Sequence, residues 1–173
     1  EAAHMAGYTG GSVHARKAVL AVNMLGGGGF EIWQYTSRKP EYPEFEIQPG
    51  DLGISATALK ARNTSELFEQ HEIAGINLTP EVRTSPGGEP TYFVKDLYGN
   101  VFQIVKTHEI FSRTSHVCGG VAGVTIGVTD IDRAMRLYSD ILGYSRVLYD
   151  ATGTFEDLEG IPGGDQKLRR AKL

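Results

Sequence analysis

The feature that most constrains this chain is a strand that occurs twice. Phe102-Gln103-Ile104 repeats Phe30-Glu31-Ile32 at a distance of 72 residues, and each copy is entered from a glycine-bearing turn, Gly26 to Gly29 in one and Gly99-Asn100 in the other. Side chains alternate across a strand, so in both copies one polar group stands on the face opposite Phe and Ile. A second echo has a 70-residue spacing, which superposes Gly123 on Gly53 and Leu137-Tyr138 on Leu67-Phe68. Sequence that recurs at a fixed distance describes a supersecondary unit built more than once.

The unit can be read element by element. Lys17 to Met24 and Phe30 to Thr36 are rich in β-branched and apolar residues and read as a hairpin joined by glycines. Pro40, Pro43 and Pro49 keep residues 37–50 out of a central ladder, which makes them a linker or edge segment. The next stretch opens with Gly53 to Leu59 as a strand, and Asn63-Thr64-Ser65-Glu66 has the form of an N-cap followed by Glu at the third helical position. That spacing predicts a helix over 63–71. Ile76-Asn77-Leu78, Val82-Arg83-Thr84, Thr91 to Lys95 and the strand holding Gln103 follow, so residues 51–107 read strand, helix, strand, strand, strand. Beyond a polar link the order begins again with Gly123 to Val128 as a strand and Asp130 as a cap. Ile131, Ala134, Met135, Tyr138 and Leu142 then recur at helical spacing, Gly143 ends the helix, and Tyr144 to Tyr149 alternates as the next strand. The resulting division is 1–49 for a closing hairpin and linker, 50–107 for a complete unit, 108–118 for a link, and 119–173 for the opening of a third unit.

Composition narrows the function classes. At 173 residues with 40% hydrophobic content the chain has enough apolar material for a globular core. A formal net charge of -4, with basic residues dispersed except at Lys167 to Lys172, leaves no basic stripe for nucleic acid. That terminal cluster reads as a solvated strand face or frayed end. One cysteine, Cys118, excludes an internal disulfide and a multi-thiolate zinc site, and points to a reducing compartment. No apolar run approaches the roughly 18 residues of a membrane helix, and Glu1-Ala2-Ala3-His4-Met5 lacks the form of a signal peptide. The reading is a soluble, cytoplasmic protein with no nucleic-acid or membrane partner.

Two segments resemble the vicinal-oxygen-chelate superfamily of glyoxalases, extradiol dioxygenases and bleomycin-resistance proteins. Asp130 to Tyr144 is similar to that family's first helix with its closing leucine-glycine-aromatic step, and Tyr92 to Ile104 is similar to its closing hairpin. The resemblance spans about residues 17 to 160. It implies an α+β fold of βαβββ modules paired into a curved mixed sheet, with helices on the convex face. With one complete module and two partial ones, it also implies a longer, four-module protein, or pairing of modules in a homodimer.

In metal-dependent members of the family, each module gives one ligand from its first strand and one from its last. The resemblance puts Glu31 and Gln103 at the last-strand positions, as candidate ligands of a divalent metal (Fe, Mn, Zn or Ni), with Glu31 also the candidate catalytic group. The first-strand positions fall on Gly53 and Gly123, which have no side chain to bind anything, and a hard cation needs several converging oxygen or nitrogen donors. Among the histidines only His14, near Glu31, is a local candidate to add one. Two functions remain open. One is an enzyme in which the metal, as Lewis acid, chelates a small oxygen-rich substrate. The other is a metal-free small-molecule binding or sequestration protein of the bleomycin-resistance type. Gln103 and Glu31 are expected on the concave face, with Phe102, Ile104, Phe30 and Ile32 buried on the other.

Overall fold

A computed structural model describes residues 2–173; Glu1, the first residue of the expected 1–49 segment, lies outside the described residues. The fold is α+β with mixed sheet. After a short 3-10 segment at Ala2–Tyr8, β1 (Arg16–Asn23) and β2 (Gly28–Tyr35) form an antiparallel two-stranded sheet, with Leu20 opposite Glu31 and Ala21 opposite Phe30. Its glycine turn lies against the later chain: Gly26 and Gly120 approach so closely that neither has room for a Cβ.

The complete unit follows the expected order. β3 (Gly53–Ala61), α1 (Thr64–Ile73), β4 (Arg83–Thr84), β5 (Pro90–Lys95) and β6 (Val101–Lys106) occur in sequence. The strand order in the sheet is β4-β5-β6-β3, with β3 parallel to β6 and the other pairs antiparallel. A parallel neighbour needs a crossover, which the chain from α1 to β5 supplies. Asn63 caps α1 as its sequence requires, Oδ1 accepting from the Ser65 and Glu66 amides at 3.2 and 3.3 Å.

The third unit contributes β7 (Cys118–Gly127), which extends the same sheet by pairing antiparallel with β3. Three register shifts mark that pairing, and such bulges bend and twist a ladder. Asp130 then caps α2 (Ile131–Arg136), its Oδ1 accepting from the Arg133 amide at 2.9 Å. Two expectations fail here. The helix does not run regularly to Leu142 but passes into a π-helical turn over Leu137–Ile141, with no residue buried in either part. Nor is Tyr144 to Tyr149 a strand: after Gly143, at φ +79°, residues 144–148 are irregular and exposed, and β8 begins only at Tyr149 (Tyr149–Gly153). Alternation makes a strand only where a ladder partner lies alongside, and β9 (Leu168–Lys172) reaches only to Tyr149.

The terminal basic cluster is β9 itself. Arg169 bonds Asp132 of α2 and Asp150 of β8 at 2.8–3.1 Å, and this guanidinium holds both carboxyls below their ordinary range. Lys172 reaches Glu89 at 3.0 Å.

Two apolar clusters lie on opposite faces of the central sheet. On one face α1 packs through Leu67 and Phe68 onto Tyr92, Val94, Ile104 and Phe102. On the other, Ala56 and Phe93 are covered by Leu158, with Phe155, Ile161 and Leu168 around it. Elsewhere much apolar surface meets water: accessible area is 11,751 Å², against about 8,300 Å² for a folded monomer of this mass. Val19, Leu20, Val22 and Ile32 of the hairpin are all more than half exposed.

Tyr92, fully buried, ties α1 to the sheet through a 3.0 Å hydrogen bond to His71 Nδ1. Burial lowers the His71 pKa from its ordinary value, because desolvation disfavours the imidazolium. A depressed folded-state pKa gives stability that is present above the unfolded value of about 6.5 and lost as pH falls through the folded one. Melting temperature should therefore drop between pH 7.5 and pH 5 by more in the wild type than in His71→Gln, and equal drops would show that His71 carries none of it.

Candidate functional site

Gln103 lies where alternation puts it. Phe102 and Ile104 join the cluster under α1, so Gln103 points to the face away from α1, half-buried opposite Phe93. Its Nε2 donates to Thr91 Oγ1 at 3.0 Å, and Thr91, fully buried, donates in turn to the Ile104 carbonyl at 2.9 Å. This chain of bonds fixes the amide and leaves Oε1 to accept a hydrogen bond.

Glu31 stands elsewhere. Phe30 meets Phe102 edge-to-face at 5.8 Å between centroids, which sets β2 against the α1-covered side of the sheet. Alternation then turns Glu31 away from the sheet, and it is exposed. Ile32, expected to be buried with Phe30, is 57% exposed because the hairpin has no layer over it. The fold thus does not bring Glu31 and Gln103 together. His14 contacts the Ser37 hydroxyl at 3.3 Å and the Thr9 carbonyl at 3.2 Å, edge-on to Tyr35. A divalent cation requires at least three converging donors. Among the described residues no group of three or more His, Cys, Asp or Glu side chains converges in that way.

Two cavities occur near the turn at Glu159-Gly160. One, of about 480 Å³, is bounded by Phe155, Glu156, Ile161, Pro162 and Asp165. The other, of about 570 Å³, lies between the last turn of α1 and the loop before β4, with Phe68, Glu72, Asn77, Leu78, Thr79 and Pro80 in its wall. Neither contains Glu31 or Gln103. Sequence reading did not find this second group, since Glu72, Asn77 and Glu159 come from three elements and form no motif.

Asn77 is anchored by Nδ2, which donates to the Phe68 carbonyl at 3.1 Å, while its Oδ1 is buried and has no partner among the described residues. Across the cavity, Arg83 bridges Glu159 and Glu81, so Glu159 is partly neutralised. Glu72 has no ion-pair partner among the described residues. The site's electrostatic character is therefore acidic, reinforced by the carbonyl end of α1. No protein-family model, no curated protein and no solved structure matches this chain.

Proposed function

We propose that this chain is a small-molecule binding protein of the vicinal-oxygen-chelate type, in which hydrogen bonding rather than metal chelation holds the ligand. The observation that carries the reading is the Gln103 amide, locked by Thr91 on the face of a βαβββ unit away from α1. A neutral amide at the last-strand position accepts a hydrogen bond from a hydroxyl or amide of the ligand, and it supports a hard cation poorly.

The test uses three probes, catechol, the hemithioacetal of methylglyoxal and glutathione, and bleomycin, titrated calorimetrically with and without EDTA. One of them should bind equally in both conditions, with Gln103→Ala weakening it about fivefold, the worth of one hydrogen bond. The competing reading is a glyoxalase- or dioxygenase-like enzyme acting on a metal-chelated substrate. It predicts stoichiometric Fe, Mn, Zn or Ni in the purified protein, lost in Glu31→Ala, and binding abolished by EDTA. That result would overturn the proposal.

A further inference from the structure

We infer that the open end of the β1–β2 hairpin docks on an anionic lipid surface. Basic residues that lie apart in the sequence meet there. Arg16 stands opposite Tyr35, and the Ala15 amide donates to Ser37 Oγ at 2.8 Å, so Arg16-Lys17 and Arg38-Lys39 share one end of the hairpin. All four are exposed, and none has an ion-pair partner among the described residues. Four cations less Glu41, which follows Lys39 by two residues, give this end +3 in a chain of net charge -4.

The contacts that tie the hairpin to the central sheet lie at its other end. Asn23 Nδ2 donates to the Cys118 carbonyl at 3.3 Å, Gly26 meets Gly120, and Phe30 meets Phe102. Arg16 is seven residues from Asn23, about 24 Å along an extended strand. Glu31, the one acidic residue of the hairpin strands, is four residues in from Tyr35. That is about 13 Å, beyond the screening length of about 8 Å at physiological salt, so it offsets the basic end little.

The side chains around these cations suit a lipid headgroup layer. Arg16 lies 3.8 Å over the Trp33 ring and Arg38 lies 4.2 Å over the Tyr35 ring, and alternation puts Arg16, Trp33 and Tyr35 on one strand face. Trp33 is nearly half exposed; Tyr8 and Val13, which flank the 3.2 Å contact between the Thr9 carbonyl and His14 Nε2, are more than half exposed. Amphipathic rings beside cations with apolar stems belong at a membrane interface, where binding grows with buried apolar area and with attraction to anionic headgroups. Two other occupants match less well. A nucleic acid would find guanidinium groups already over both rings, where its bases would stack. A second copy meeting this face across a two-fold axis would set like cations against each other.

The probe is a vesicle of phosphatidylcholine with about 30% phosphatidylserine, compared with pure phosphatidylcholine, sedimented with the full chain. Binding should half-saturate near 1 mM lipid, from about a fivefold gain for each of four cations, and should fall more than tenfold between about 0.1 and 0.5 M salt. Trp33 is the only tryptophan, so a blue shift of its fluorescence reports this end directly. Arg16→Gln with Arg38→Gln should weaken binding about 25-fold with circular dichroism unchanged. Lys17→Gln with Lys39→Gln, which leaves both ring contacts in place, should do the same and decides the matter if the arginine variant fails to fold. Gln103→Ala should bind vesicles as the wild type does, which keeps this result separate from the proposal above. Equal binding to pure phosphatidylcholine, binding without a Trp33 shift, or undiminished binding in the lysine variant would each overturn the assignment. So would Trp33 quenching by single-stranded oligothymidine, or concentration-dependent burial of Trp33 in the absence of vesicles.

Discussion

Asp157→Ala should destabilise the chain by about 3–5 kcal/mol, the largest single-residue effect outside the apolar core. Asp157 has a side-chain exposure of 1% and receives both terminal nitrogens of Arg170, at 2.7 and 3.0 Å. Arg170, 16% exposed, also lies over the Phe155 ring at 4.7 Å. A bidentate pair in a site this dry repays its desolvation through geometry, and removing the carboxylate strands a guanidinium against the Phe155 ring. Urea denaturation followed by circular dichroism reads the effect. The double variant Asp157→Leu with Arg170→Met should recover most of the loss, because neither charge then remains buried. A loss under about 1 kcal/mol for Asp157→Ala would mean that water reaches the pair. The consequence extends to function, since Leu158 and Phe155 cover the sheet face to which Gln103 belongs. Loosening them should raise exposure of that face along with the drop in stability.

Tyr92→Ala should cost about 3–5 kcal/mol, through lost apolar burial and the cavity left behind. Tyr92 is wholly inaccessible, packs edge-to-face with Phe68 at 5.1 Å, and sits at the centre of the cluster joining α1 to β5 and β6. Its hydroxyl has one partner, His71, and burial raises its pKa, so it stays a neutral phenol. Tyr92→Phe keeps the ring and removes only that bond, for a cost near 1 kcal/mol. The comparison separates packing from hydrogen bonding. Similar losses in the two variants would mean that the hydroxyl, and not the ring, anchors α1.

The complete βαβββ unit was legible because its signals are local. Asn63 and Glu66 announce a helix start within four residues, and Gly99-Asn100 fixes the turn between β5 and β6. The period-two pattern of Phe102-Gln103-Ile104 placed Gln103 on the face opposite Phe102 and Ile104, away from α1, and there it lies. The same reasoning misjudged Phe30-Glu31-Ile32. Its pattern is identical, yet Ile32 is exposed, because burial needs a covering layer that no local pattern can promise. Tyr144 to Tyr149 failed for a related reason: alternation was present, but only Tyr149 has a strand beside it.

The sequence by itself determined the order of elements within the complete unit, the cap residues Asn63 and Asp130, and the face on which Gln103 stands. All of these follow from backbone sterics and neighbours a few residues apart. Tertiary structure alone decided that Glu31 and Gln103 do not meet, that the basic terminal run becomes a strand ion-paired to Asp132, Asp150, Asp157 and Glu89, and that Glu72, Asn77 and Glu159 surround one cavity. Those ion pairs join residues up to 83 positions apart, as between Glu89 and Lys172. Charge complementarity and packing set them only once the sheet has brought the segments together, so no pattern along the chain records them.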